Sequence, residues 1–279
     1  MYLNCHSYHS LRYGTIPLQE LVEQAVAFGV KAMALTDINT VTGFYDFYKA
    51  CQTVNIKPLV GIDFRNEGKQ LYIGLAKNRK GIAEMNQLVT KHNFDNTPLP
   101  EKAPDFENTI VIYPFDSIPE TLNKNEFIGI APEQLPKLYN YVWKRRLNKM
   151  AILQTVTYRT KKEFNLHKIL RAIDLNSLGS KLTKEDYCKT SHIMIPWQNL
   201  IDKYSDYPQI IANTKAIIDT CNFEYDFFTP KNKKHFTNNQ QEDSALLTKL
   251  AYEGMVKRYG SNNPEAKARV EKELKVINE

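Results

Sequence analysis

Short apolar runs alternate along the first part of this chain with longer stretches whose apolar residues recur every third or fourth position. The short runs are "YLNC" (2–5), "AMALTD" (32–37), "PLVGID" (58–63), "LYIGLA" (71–76), "TIVIYP" (109–114), "FIGIA" (127–131) and "AILQT" (151–155). They are apolar on both faces, as strands of a covered parallel sheet are. The longer stretches predict helices over 17–29, 43–55, 79–92 and 133–149. The first starts at a proline, ends at Gly29 and carries Leu18, Leu21, Val22, Ala25 and Val26 as one stripe. "FRNEGKQ" is too short for a helix and predicts a hairpin between the third and fourth strands. Seven strands with interposed helices predict an α/β fold, a closed and distorted β/α barrel; an open doubly wound sheet gives a similar pattern.

After residue 159 the strand signal stops. Helices are predicted over 161–175, about 196–204, 207–221, 242–259 and 264–278, a helical C-terminal extension. "TPKNKKHFTNNQQED" (229–243) is polar and reads as a poorly ordered connector. The last helix holds Val270, Leu274 and Ile277 on one stripe with nothing following to cover it, so a larger protein is expected to continue beyond it.

The chain has 279 residues, 42% of them hydrophobic and 24% charged, a composition of ordinary globular proteins. No apolar run reaches membrane-spanning length, and the N-terminus lacks a basic segment followed by an apolar one. Cys5, Cys51, Cys188 and Cys221 are far apart and form no CxxC pair, so reduced buried thiols in a cytoplasmic protein are expected. The net charge of +6 permits contact with nucleic acid without requiring it. Its local clusters are "WKRRLNK" (143–149), which offers Lys144, Arg145 and Arg146 as candidate phosphate contacts, and "KNKKHF" (231–236). Solvated faces are the simpler account of both clusters.

In a barrel, side chains at the C-terminal ends of the strands share one mouth. That rule collects His6 and His9 after the first strand, Thr36 and Asp37 after the second, Asp63 after the third, and Gln154, Thr155 and Thr157 after the last. Imidazoles and carboxylates are what zinc, manganese or iron needs, and such an ion activates water against a phosphate ester. The donors are too few for a cluster. Only His6, Asp37 and Asp63 are well placed, enough for at most one weakly held divalent metal. His9 reads as a loop residue and Asp37 as a possible loop brace, while His92 and His167 fall on predicted helices and His192 and His235 in loops. No GxGxxG, P-loop or G-x-S-x-G motif occurs.

The run "NCHSYHSLRYGT", "LQELVEQAVAFGVKAMALTDINTVTGFYDFYKACQTVNIKPLVGIDF" and "LYIGLAKNRKGIAEMNQLV", in that order, resembles the PHP (polymerase and histidinol phosphatase) domain that opens bacterial DNA polymerase III alpha subunits. "NTKAIIDTCNFEYDF", "LLTKLAYEGMVKRYG" and "RVEKELKVI" resemble the segment leading from that domain towards the palm and thumb. The likeness implies a PHP domain over 1–228 and a helical connector over 229–279, and it agrees with the barrel. Some members bind a metal cluster in the mouth and act as 3′–5′ exonucleases. Others have lost the ligands and support the polymerase or dock a separate proofreading exonuclease.

Against the family's H-x-H, T-D-H, G-x-E, H-L and N-D-x-H-Y patterns, this chain keeps His6 and Asp37 and has Asp63 for the glutamate. Asn4, Ile38, Leu71, Thr155 and Thr157 stand where the family has other ligands. The resemblance therefore implies a degenerate, catalytically silent metal site with no cofactor of its own, inside a DNA-directed DNA polymerase that uses Mg²⁺. Its implied partners are the rest of the polymerase chain, a proofreading exonuclease subunit and, through the parent protein, DNA; no membrane is involved. The rival readings are a metal-dependent phosphoesterase or 3′–5′ exonuclease of the same superfamily, and a DNA-binding module working through the basic clusters.

Overall fold

The structure is a computed structural model describing residues 1–226, 229–230 and 232–278. The chain divides into two compact units, Met1–Glu224 and Tyr225–Glu279. The boundary expected at Phe228 falls on a residue outside those described.

The first unit holds β1 (Tyr2–Cys5), α1 (Leu18–Ala27), β2 (Ala32–Leu35), α2 (Phe44–Thr53), β3 (Lys57–Asn66), β4 (Lys69–Ala76), α3 (Arg79–Asp95), β5 (Thr109–Pro114), β6 (Glu126–Ile130), α4 (Tyr141–Lys144), β7 (Met150–Ile152), β8 (Thr155–Val156), α5 (Lys161–Asp174), α6 (Trp197–Asp202) and α7 (Pro208–Thr220). The second holds α8 (Gln240–Tyr259) and α9 (Pro264–Asn278).

The strands form one sheet in the order β7-β6-β5-β4-β3-β2-β1-β8. All neighbours are parallel except β4, which runs against both β3 and β5. The run expected as a single seventh strand is broken in two. Its first half, β7, adds to β6, and its second half, β8, adds to β1. Between them the Leu153 N–H still bonds Ile130 O, while the Gln154 amide donates to Ser191 O and Ile193 O. The two edges of the sheet are thus halves of one segment, and the sheet curls into the distorted barrel expected from the sequence.

Alternation sorts the apolar residues. One cluster, fed by Leu3, Ala34, Leu59, Leu75, Ile110, Ile112 and Leu153, fills the inside and is joined by Ile217 and Ile218 of α7. The opposite faces pack under α1 and α2, and under α3 through Met85. In α1 the stripe Leu18, Leu21, Val22 and Ala25 is buried, and Val26 stays exposed. Gly29, at φ 70°, ends the helix while the Val30 N–H bonds back to Ala25 O.

Two elements differ from expectation. The expected hairpin is present, but β3 runs past Asp63 to Asn66 and turns at Glu67 and Gly68, both at positive φ, as a two-residue type I′ turn requires. Asp63 therefore lies inside a strand. The helix expected over 133–149 is replaced by 3₁₀ turns at Pro132–Tyr139 and Leu147–Lys149 around the four-residue α4. Pro136 lacks the N–H that a helix would use and its ring crowds the preceding turn. Asn140 then restarts the chain by accepting the Val142 N–H at 3.1 Å.

In the second unit, residues 236–243 of the expected connector are hydrogen-bonded ahead of α8. Asp243 accepts the N–H groups of Phe236 and Thr237, and Asn239 caps the helix by accepting the Glu242 N–H. Lys231 of the second basic cluster lies outside the described residues; Lys233 Nζ sits 4.5 Å from the centre of the Phe236 ring. Among the described residues no helix is long and apolar enough to cross a membrane.

Candidate functional site

The site lies where β1, β2, β3 and β8 end or bend. His6 follows β1 and is fully buried. Its Nε2 is 2.9 Å from Asp63 Oδ2 and its Nδ1 is 3.0 Å from Thr157 Oγ1. Asp63 is also fully buried. Its Oδ2 further accepts Arg65 Nε at 3.1 Å, Arg65 Nη2 at 2.7 Å and Gln70 Nε2 at 2.9 Å. Arg65 reaches Asp63 because residues two apart on a strand share a face.

Asp37 is engaged at both oxygens. Oδ1 accepts the Ser7 N–H at 2.7 Å and the Ser10 hydroxyl at 2.6 Å, and Oδ2 accepts the Ser7 hydroxyl at 2.8 Å. It ties down the loop after β1, as a loop brace does. The altered ligand positions are also absorbed. Asn4 donates to Thr155 Oγ1 and accepts from the Thr36 hydroxyl. Ile38 packs against the cluster of Tyr13, Tyr158 and Cys188.

His9 is half-buried beside Tyr8, with Cδ2 so near Gly43 that a Cβ there would come within 2.6 Å of it. Leu71 does not face the rim. Arg65 pairs with Gln70 and Phe64 with Tyr72, leaving Leu71 as the extra residue of a bulge. Leu71 and Tyr72 both enter the outer cluster, and Gln70 turns to Asp63. Lys144, Arg145 and Arg146 lie exposed on α4 and the turn after it. Trp143 beside them packs on Phe115, and Lys149 donates to the carbonyls of Asn123 and Lys124.

The electrostatics follow from burial and this pairing. Burial alone pushes the Asp63 carboxyl up, and the Arg65 guanidinium with the His6 bond more than offsets it, holding it at about 2. Burial acts to lower the Arg65 value, and Asp63 outweighs it and raises it further. Two guanidiniums lie near the Tyr13 ring, with Arg65 Cζ at 4.6 Å and Arg171 Cζ at 5.4 Å from its centre. His6 meets the same ring edge-on. His167 Nδ1 donates to Tyr13 O at 2.6 Å and its Nε2 accepts the Cys188 N–H at 2.9 Å. Burial lowers its pKa to about 4.

A metal ion needs free lone pairs converging on one point. Here both nitrogens of His6, both oxygens of Asp37 and Oδ2 of Asp63 are engaged within the protein. Asp63 Oδ1 is buried with no partner, as are His9 Nε2 and His192 Nδ1. Among the described residues no three His, Cys, Asp or Glu side chains are grouped to hold a metal. The donor set in this arrangement does not fit one. What it supports is a buried, hydrogen-bonded brace across the strand ends with the Asp63–Arg65 ion pair in it.

Sequence reasoning brings out His6, Asp37, Asp63 and the threonines, and the structure gathers them. It misses Arg65, Gln70, Tyr13, His167 and Arg171. Arg65 and Gln70 sit in a segment that reads as a polar loop; the usable signal was the Asp-x-Arg spacing on one strand.

A family model for the PHP domain matches residues 3–120. An error-prone DNA polymerase of Symbiobacterium thermophilum is 23% identical over 326 residues, covering 99% of this chain and 30% of that protein. A DNA polymerase III subunit alpha of Halalkalibacterium halodurans is 24% identical over 314 residues, covering 99% and 28%. The chain thus spans less than a third of the length of these relatives. An amidohydrolase structure from Chromobacterium violaceum aligns with a TM-score of 0.30 at 11% identity, over 72% of this chain and 96% of that one. Residues 3–120 thus match the PHP domain model, and nearly the whole chain is similar in sequence to bacterial DNA polymerase III alpha subunits and error-prone DNA polymerases.

Proposed function

We propose that this chain is the PHP module of a DNA polymerase III alpha-type polypeptide and works by shape, without hydrolytic activity of its own. The observation that carries this reading is the engagement of the rim donors: His6, Asp37 and Asp63 are bonded to serines, a threonine, a glutamine and an arginine. A catalytic ion would have to displace most of these bonds.

In this reading the module supports the remainder of the polymerase chain in the cytoplasm and offers a face to a separate proofreading exonuclease. DNA synthesis, with its Mg²⁺ and deoxynucleotides, belongs to the longer polypeptide. The exposed Lys144, Arg145 and Arg146 are left as a solvated face.

The test is direct. The purified chain is equilibrated with Zn²⁺ or Mn²⁺, its bound metal is measured, and 3′–5′ release from a labelled primer and hydrolysis of a small phosphate monoester are assayed. No stoichiometric metal and no release above background are expected. Metal-stimulated release that disappears in His6→Ala would overturn the proposal in favour of a working nuclease.

A further inference from the structure

We propose that a groove beside α5, on the outside of the first unit, receives an acidic amphipathic helix from a partner protein. The proposal stands apart from the reading of the rim and does not depend on it.

An ordinary surface helix buries its apolar residues and turns its charges outward. Much of α5 does the reverse. Its inner side buries His167, Arg171 and Ala172. Leu166, Ile169 and Ile173, spaced three and four apart and therefore on one side, are 45%, 57% and 60% exposed. The turn that follows adds Leu178, 64% exposed. Ile169, Ile173 and Leu178, with Asn165 and Lys168, line a groove of about 750 Å³. Single exposed apolar side chains are ordinary, whereas several along one groove are what interaction surfaces show.

The charge beside the groove selects the partner. Between residues 161 and 181 the carboxylates are Glu163 and Asp174, and both are taken. Glu163 accepts from Arg159, and Asp174 accepts from Arg171 and Arg12. Among the described residues, Lys161, Lys162, Lys168 and Lys181 have no carboxylate within ion-pair distance. Lys168 lines the groove itself, with its Nζ 4.7 Å from the centre of the Tyr187 ring, and Lys181 lies two residues beyond Gly179 of the lining. An apolar floor thus meets an unanswered positive rim.

A helix with apolar residues at i, i+3, i+4 and i+7 and carboxylates flanking them answers both. Its stripe matches the helical spacing of Leu166, Ile169 and Ile173. A basic helix would set like charges together. A phosphate backbone would answer the lysines and leave the isoleucines facing nothing apolar.

The test titrates the full chain into labelled helical peptides of about 18 residues, or five turns. All carry that leucine stripe; one series has glutamates on its remaining faces and the other has lysines. Fluorescence anisotropy should show saturable binding of the acidic series that weakens with added salt, and at least about tenfold weaker binding of the basic one. Ile169→Gln/Ile173→Gln should lose the acidic helix by at least about tenfold at an unchanged melting midpoint, because both side chains are exposed. Lys162→Glu/Lys168→Glu/Lys181→Glu should exchange the preference and take the basic helix. If one variant does not fold, the other decides. No saturable binding, equal binding of both series, or binding that survives substitution overturns the proposal. So does a dimer in sedimentation that Ile169→Gln/Ile173→Gln dissolves, because a second copy then covers the groove. Displacement of the acidic helix by duplex DNA overturns it as well, because phosphate then answers the lysines.

Discussion

Asp63 is the residue on which the rim turns, because its charge is buried and answered by Arg65 at 2.7 Å. Asp63→Asn keeps the shape and removes the answer, leaving a buried guanidinium against an amide. Breaking a buried pair from one side costs about 3–5 kcal/mol, whereas replacing both partners with apolar groups is far milder. Urea denaturation should therefore show Asp63→Asn strongly destabilised and Asp63→Leu/Arg65→Met closer to wild type.

A second residue-scale outcome concerns pH. His167 is buried and neutral, faced by Tyr13, Cys188, Arg171, Arg65 and His6, with its pKa lowered to about 4. Unfolded, it takes up a proton near the ordinary 6.5. Its contribution is thus fully present above pH 6.5 and is lost as pH falls towards 4, by roughly 3 kcal/mol in all. Urea midpoints measured at steps across that window should fall for wild type and stay flatter for His167→Gln.

At the scale of elements, the sheet was legible because each strand is an apolar run and each intervening helix carries a stripe. What escaped was local. The bulge at Leu71 shifts the face of a single residue, and nothing in the composition of "GKQLYIGLA" marks it. The same bulge, with the hairpin turn, moves Arg65 and Gln70 from an apparent loop onto paired strands facing the site. The helix expected at 133–149 fails for a readable reason, Pro136.

Close strand packing supplies an element-scale prediction. A Cβ on Gly61 would lie 2.4 Å from Gly74 O and 2.7 Å from Thr36 Cγ2. Gly61→Ala must push β3 from β4 or move Thr36, the residue that holds Asn4. Overpacking of this kind costs about 1–3 kcal/mol, and a lowered thermal midpoint should report it.

Across the whole molecule, the two units differ in how much they bury. Within Met1–Glu224 the apolar side chains of the sheet are covered from both faces by clusters drawn from that unit alone. Within Tyr225–Glu279, α8 and α9 contact each other, but Met255 is the one buried apolar side chain among the described residues. Leu250, Val256, Tyr259, Val276 and Ile277 are 47% to 65% exposed. The caps at Asn239 and Asp243 start α8 well, yet caps contribute only about 1 kcal/mol each and cannot replace a core. Isolated helices draw most of their stability from packing an apolar face. Residues 1–224, produced alone, should therefore melt in one cooperative transition by circular dichroism. Residues 225–279, produced alone, should show partial helicity that fades gradually on heating. A sharp transition in that shorter piece would mean that its two helices build a core by themselves, which the exposure of their apolar faces argues against.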